Sequence, residues 1–239
     1  MDRHELSSSA AGAGPGASPD SGAYRGPDTR TRLLDAAEQA FGERGISATS
    51  LRQITAAAGA NIAAVNYHFG SKSGLVEAVF ERRIRPLGEE RHRRLRAVLE
   101  AAGDRAPTVE GILTAFLAPV QQVVENPSRG GRQFLQLMAR ANLESSDEIH
   151  EIIFAQFKDS GMEFLNAFER ALPELTRTEI FVRFRFCLGA MLFGFASVLD
   201  PSRIKMLDAP ALRTEDTLHQ LVTFLAAGFR TPAPPGGDA

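Results

Sequence analysis

From Leu33 onward, apolar residues recur at intervals of three and four, in runs opened by Asp, Ser, Thr or Asn and often closed by glycine. That spacing places one apolar stripe along a helix. Leu33, Leu34, Ala37, Ala40 and Phe41 predict a first helix, capped by Asp28 and ended by Gly45, the residue type favoured just past a last turn. Thr49 or Ser50 opens a short second helix with Leu51, Ile54 and Ala58 on its inner face and Gly59 behind it. Asn61 opens a third, with Ile62, Val65 and Phe69 inward. Ser71 opens a fourth carrying Leu75, Val76, Val79 and Phe80, which Pro86 and Gly88 are expected to kink or interrupt. Beyond Pro107 the pattern predicts Val109–Glu125, Arg132–Leu143, Asp147–Ala171, Thr178–Leu199 and Glu215–Phe229 as further helices. No alternating run bounded by hairpin turns occurs, so the fold class is all-α.

The organisation follows from where this pattern starts and stops. Residues 1–27 are mostly Gly, Ala, Ser and Pro with almost no large apolar groups, and such a segment reads as a disordered tail. Residues 231–239 read as a second flexible tail. Between them lie a small helical module over 28–85 and a larger helical domain over 86–230.

Charge sharpens that division. The 239-residue chain has a formal net charge of −2, yet Arg25 to Arg96 holds 13 Lys and Arg against 8 Asp and Glu. A basic module on an acidic body fits a polyanionic partner for the first part, while Arg-rich solvated helix faces are the plainer alternative. Cys187 is the single cysteine, which leaves no intrachain disulfide and disfavours a cysteine-based zinc site. No 18-residue uncharged apolar run and no signal-peptide core occur, so a cytoplasmic protein without membrane contact is expected.

The chemistry sits between the second and third helices. Ala57 and Ala58 permit close packing, Gly59 permits the turn, and Ile54, Ile62 and Val65 supply a shared core for a helix-turn-helix. The wider stretch TRLLDAAEQAFGERGISATSLRQITAAAGANIAAVNYHFGSKSGLVEAVF, from Thr31, resembles the TetR family of transcriptional regulators. The resemblance runs over about Thr31–Arg83. It rests on Phe-x-x-x-Gly ending the first helix, Thr-Ser opening the second, Ile-x-x-x-Ala-Gly closing it, and His-Phe-x-x-Lys after the third. The segment VNYHFGSK also looks like a subgroup that includes fatty-acid-linked regulators. One departure stands out: family members usually carry Tyr where this chain has Asn66.

The resemblance implies roles for individual residues. Thr49 and Ser50 would hold a phosphate, and Arg52 would reach phosphate or a base edge. Asn61, Ala63, Ala64 and Asn66 would face the major groove, where Asn pairs with adenine and Ala contacts a thymine methyl. Tyr67, His68 and Lys72 would contact phosphates, with Arg30 and Arg32 as further candidates. Phe69 reads as a core plug, and Asn61 also as a helix cap. Arg82, Arg83 and Arg85 read as a solvated face or a tether to the second domain.

For the larger domain the resemblance implies effector binding and homodimerisation, here through Thr178–Leu199 and Glu215–Phe229. A pocket among the middle helices has Phe116, Val120, Phe134 and Met138 as candidate lining, together with Phe157, Phe164, Phe168 and Phe193. With 16 Phe and no Trp, it would suit a small hydrophobic or acyl-type effector. The expected partners are therefore a double-stranded DNA operator, this effector and a second copy of the chain; repression is the family's usual mode. No cofactor is expected. Catalytic motifs such as H-E-x-x-H and G-x-S-x-G are missing, which argues against an enzyme. Glu144, Asp147, Glu148, His150 and Glu151 read as a helix start, not a metal site. A helical adaptor that binds protein through its Arg-rich face remains the alternative.

Overall fold

The structure is a computed structural model that describes residues 28–126, 131–141, 146–199 and 213–232. Both expected tails therefore fall wholly or mostly outside the described residues, as do Leu143 and Glu144. The described residues form nine helices, with no strand among them: α1 Thr29–Arg44, α2 Leu51–Ala57, α3 Ile62–Phe69, α4 Lys72–Ala102, α5 Val109–Glu125, α6 Gly131–Ala141, α7 Asp147–Ala171, α8 Arg177–Leu199 and α9 Thr214–Arg230.

Four caps fix the N-terminal module locally. The side chains of Asp28, Ser50, Asn61 and Ser71 accept from the backbone N–H of Thr31, Gln53, Ala64 and Gly74 at 2.7, 3.3, 2.9 and 3.0 Å. Each satisfies a donor that the start of a helix leaves open, worth about 1 kcal/mol. Leu33, Ala37, Phe41, Ile54, Val65, Leu75, Val79 and Phe80 then close the module's core. The buried carboxylate of Glu38 on α1 is held by Arg82 and Arg83 of α4, with Arg83 Nε at 2.8 Å, while Arg82 also bonds Asp35 at 2.6 Å. These two arginines clamp α4 to α1, inside the module.

Two expectations need correction. Helix α4 runs unbroken through Pro86 and Gly88, so the expected boundary at residue 85 falls inside a helix. Pro86 is exposed, and Ile84, Leu87, Arg91 and Leu95 bury the opposite stripe on both sides of it. Packing along that stripe outweighs the one backbone bond that proline removes. Ile62 is not core: it is 41% exposed at the first position after the Asn61 cap, where the helix has only begun, and Val65 is the one fully buried residue of α3.

In the body, α5 is the central helix, buried along most of its length and packed by α4, α7, α8 and α9. Aromatic rings join these layers. Phe116 meets Phe164 and Phe184 edge-on at 5.0 and 4.9 Å, and Phe168 stacks on Phe229 at 4.3 Å. Helix α6 reaches back to the module, where Arg140 Nε donates to the Gly42 carbonyl at 2.7 Å. Ser73 at the start of α4 donates to Glu148 of α7 at 2.5 Å. Among the described residues no helix is long and apolar enough to cross a membrane.

Candidate nucleic-acid interface and effector cavity

Helix α3 presents a short exposed surface and one fully buried anchor. Val65 is fully buried, while Asn61, Ile62, Ala63, Asn66 and Tyr67 are exposed, and Tyr67 reaches 85%. Ala64 and Phe69 are half-buried against the core, and Arg30 lies over the Phe69 ring at 5.5 Å. His68 is half-buried, edge-on to Tyr67 at 4.9 Å. The expected groove face thus divides. Ala63, Asn66 and the cap Asn61 point out, whereas Ala64 sits partly beneath them.

The close of α3 is rigid. Gly70 adopts φ +74°, and its N–H donates to the Asn66 carbonyl at 3.0 Å. Four residues on, a side chain at Gly74 would place Cβ 2.1 Å from the Phe69 carbonyl oxygen. That separation is far inside van der Waals contact, so only glycine lets α4 start this close to the end of α3. Helix α3 is therefore fastened directly to α4. Gly74 passed unnoticed in the sequence, where it looks like any other small residue in a first turn.

The flanking phosphate candidates differ in availability. Thr49 is buried, and its hydroxyl donates to the carbonyls of Gly45 at 2.7 Å and Ala40 at 3.2 Å. Its expected phosphate role through that hydroxyl does not fit this placement, since exposing it would leave buried carbonyls unsatisfied. Ser50 closes a capping box with Gln53. Arg52 is exposed in the first turn of α2, and Lys72, half-buried, opens α4. Asp28 of the α1 cap is held below its ordinary value chiefly by the backbone N–H of Thr31. Arg32 donates to the Ala58 carbonyl at 3.1 Å, which binds α1 to the helix-turn-helix bend.

The body contains a cavity of about 570 Å³ bounded by α4, α5, α6, α7 and α8. Phe116, Val120, Phe134, Met138 and Phe157 line it as expected from the sequence. Three other candidates do not. Phe164 and Phe168 belong to the ring cluster behind the wall, and Phe193 is 71% exposed on the far face of α8. Of the wall residues that the sequence reading did not name, one carries a buried charge. Arg91, only 2% exposed, lies over the Phe116 ring at 3.7 Å and donates from Nε to the Phe116 carbonyl at 2.9 Å. Its signal is present in the sequence: it occupies one position of the stripe Ile84, Leu87, Arg91, Leu95. Of the acidic cluster, Asp147 and Glu148 form the first turn of α7, and no group able to hold a metal occurs among the described residues.

Two family models of the same kind match this arrangement. Residues 33–79 match the TetR-family model of bacterial regulatory proteins, and residues 114–228 match the tetracyclin repressor-like C-terminal domain. The chain belongs to the TetR family. The first match spans α1 to the beginning of α4, and the second spans most of the body; residues 80–113, with the rest of α4, lie between them. Among curated relatives, the HTH-type transcriptional dual regulator CecR of Shigella flexneri is 30% identical over 138 residues, 55% of this chain and 60% of that protein. The regulator TtgR of Pseudomonas putida is 39% identical over 54 residues, 23% of this chain and 26% of that one. The matches thus span less than two thirds of these relatives' length. Two solved structures share the TetR fold. PfmR from Thermus thermophilus has TM-score 0.55 at 17% identity over 88% of this chain and 100% of that one. The hemolysin II regulator HlyIIR has TM-score 0.54 at 20% identity over 83% and 97%.

Proposed function

We propose that this TetR-family protein is a DNA-binding transcriptional regulator, acting as a repressor, whose α3 enters the major groove and whose body responds to a small apolar effector. The observation that carries the reading is the outward set Ala63, Asn66 and Tyr67 on a capped helix whose one fully buried residue is Val65. Two exposed groups suited to base edges and one exposed phenol have no role in the core. Asn66 reads a base, most simply adenine, while Tyr67, His68, Arg52 and Lys72 hold the flanking backbone. The capped start of α2 at Ser50 adds backbone N–H groups toward a phosphate.

The operator reading requires two copies. Val182, Phe186 and Phe193 form one exposed stripe of α8, and Phe224 of α9 is 73% exposed. Gly189 and Gly228 have open space where a Cβ would stand. A second copy packed on this face covers the rings and uses the glycines for close approach. Such a homodimer binds a palindromic operator with half-sites about 34–36 Å apart, or a multiple of that. The names of the relatives, all transcriptional regulators, support the reading.

Selection from random DNA, followed by titration across a salt series, tests it. Log affinity should fall linearly with log salt by about 0.9 for each phosphate contacted. Lys72→Ala should weaken binding to all sequences alike and flatten that slope by about 1. Asn66→Ala should relax discrimination at one base pair by about 1–3 kcal/mol. Failure to enrich any sequence at low salt would instead favour the adaptor reading, with the Arg-rich face as a protein contact.

A further inference from the structure

The cavity of the body is apolar except for its charge, and that charge has one sign. Among the described residues lining it there is no Asp or Glu, although the whole chain has 29 Asp and Glu against 27 Lys and Arg. Four basic side chains line it instead: Arg91 within the wall, and His150, Lys158 and Arg185 exposed at its edge. Arg91 is the informative one. Its hydrogen bonds go to the Phe116 carbonyl and, weakly, to the Met191 sulfur at 3.6 Å. No carboxylate pairs with it among the described residues, unlike Arg82, Arg83, Arg93 and Arg94 on the same helix.

A guanidinium removed from water without a counter-charge is costly, and proteins normally pair such groups. Burial pushes Arg91 down to about 9, which leaves it cationic at neutral pH. The Cys187 thiol, which interacts with it electrostatically, is pushed up to about 12 by burial and stays protonated, so it supplies no counter-charge. The ring of Phe116 offsets part of the cost through its π face. What this wall lacks is an anion, and the space beside it is open.

We infer that the effector is an amphiphilic acid, with its carboxylate on Arg91 and its apolar body along the Phe- and Met-lined remainder of the cavity. The inference rests on reading this cavity as the effector site, and it deepens that reading by fixing the effector's charge. A planar fork of N–H donors suits a carboxylate better than the neutral carbonyl of an ester or thioester, and charge-assisted bonds are the stronger. Lys158 and Arg185 at the edge add a field that draws anions toward the opening. Because Arg91 belongs to α4, the acid's head group would contact the helix that also carries Lys72 and holds the end of α3.

Calorimetric titration of the full-length protein with dodecanoate and with dodecanol, below their aggregation limits, separates charge from chain. Neighbouring chain lengths guard against a poor fit. The wild type should bind the acid at least about tenfold more tightly than the alcohol, as expected for a bond to a charged group. Arg91→Met should bring the two affinities together by weakening the acid alone, without lowering the thermal transition, since an apolar side chain replaces an unpaired buried charge. A merely structural Arg91 would instead lower the transition and leave the acid-to-alcohol ratio unchanged. Arg91→Lys keeps the charge and should retain part of the preference, which covers the case of a poorly folding Met variant. Equal binding of acid and alcohol by the wild type overturns the inference while leaving an apolar effector site intact. An acid preference that survives Arg91→Met also overturns it, placing the head group at the edge. Binding of neither at any chain length removes both the inference and the effector reading beneath it.

Discussion

The module and the body solve the same problem, burying helices on one another, by opposite means. The module is small and fastened at its joints: four capped helix starts, a glycine turn after α3, a glycine contact at Gly74, and the Glu38 carboxylate held by two arginines. The body is large and held by faces, through interlocked phenylalanines around α5, and it leaves about 570 Å³ unfilled in its middle. A reader of DNA must present atoms at fixed positions, so stiffness serves it. A receptor must change when filled, and a domain with a void has the slack to do so. Both regions are helical, and they differ in where their packing energy is concentrated.

That contrast can be broken by equal truncations on the two sides. Phe41→Ala in the module core should cost about 3–5 kcal/mol, because the surrounding joints prevent collapse into the space. Phe157→Ala on the half-buried cavity wall should cost about 1–2 kcal/mol, since part of its surroundings is already open. Equal losses in denaturant unfolding would erase the distinction. Next in size is Glu38→Ala, expected to cost about 2–3 kcal/mol: the stranded arginines are about a quarter exposed and recover some hydration. Thr49→Val should cost about 1–2 kcal/mol in stability and leave the salt slope of DNA binding unchanged, as its hydroxyl serves Gly45 and Ala40. A flattened slope would return Thr49 to the phosphate contacts.

The smallest effect depends on pH. The Glu90 carboxyl is held down to about 2, first by its hydrogen bond from Arg93 and then by Arg94, against the opposing effect of burial. Its folded value lies below the ordinary 4.5, so its contribution is present above about pH 4.5 and disappears as pH falls toward 2. Partial exposure screens the pairs, and Glu90→Gln should lose no more than about 0.5 kcal/mol at pH 7. The variant and the wild type should converge near pH 2.

Legibility in the sequence follows the same divide. The module could be read because its signals are local. Asp28, Ser50, Asn61 and Ser71 each act within three residues of their own position, and the glycines mark the ends. Ile62 was misjudged because an eight-residue helix holds too few turns to define its inner face. Those ends of the body's helices that lie clear of the undescribed residues were legible to within a residue or two, yet its faces were not. Helix α8 is apolar nearly all round: Phe184, Cys187, Met191 and Phe195 turn inward while Phe186 and Phe193 turn out. Composition cannot separate a ring that lines a cavity from one on an exposed face, and Phe193, expected in the first group, belongs to the second. Arg91 escaped for the opposite reason, since arginine on a helix is ordinarily solvated and only its place in an apolar stripe betrays it.

The unbroken passage of α4 through Pro86 has a mechanical meaning. Had the helix hinged there, movement of the body would have been absorbed at the hinge before it reached the module. Along this continuous helix Arg91 lies about 28 Å from Lys72 at 1.5 Å rise per residue, so if α4 moves as one body a tilt of about 4° at one end sweeps the other by about 2 Å. In a pair of such helices related by two-fold symmetry, the sweep is doubled. Two reading heads set to the pitch of the double helix would then lose their spacing together.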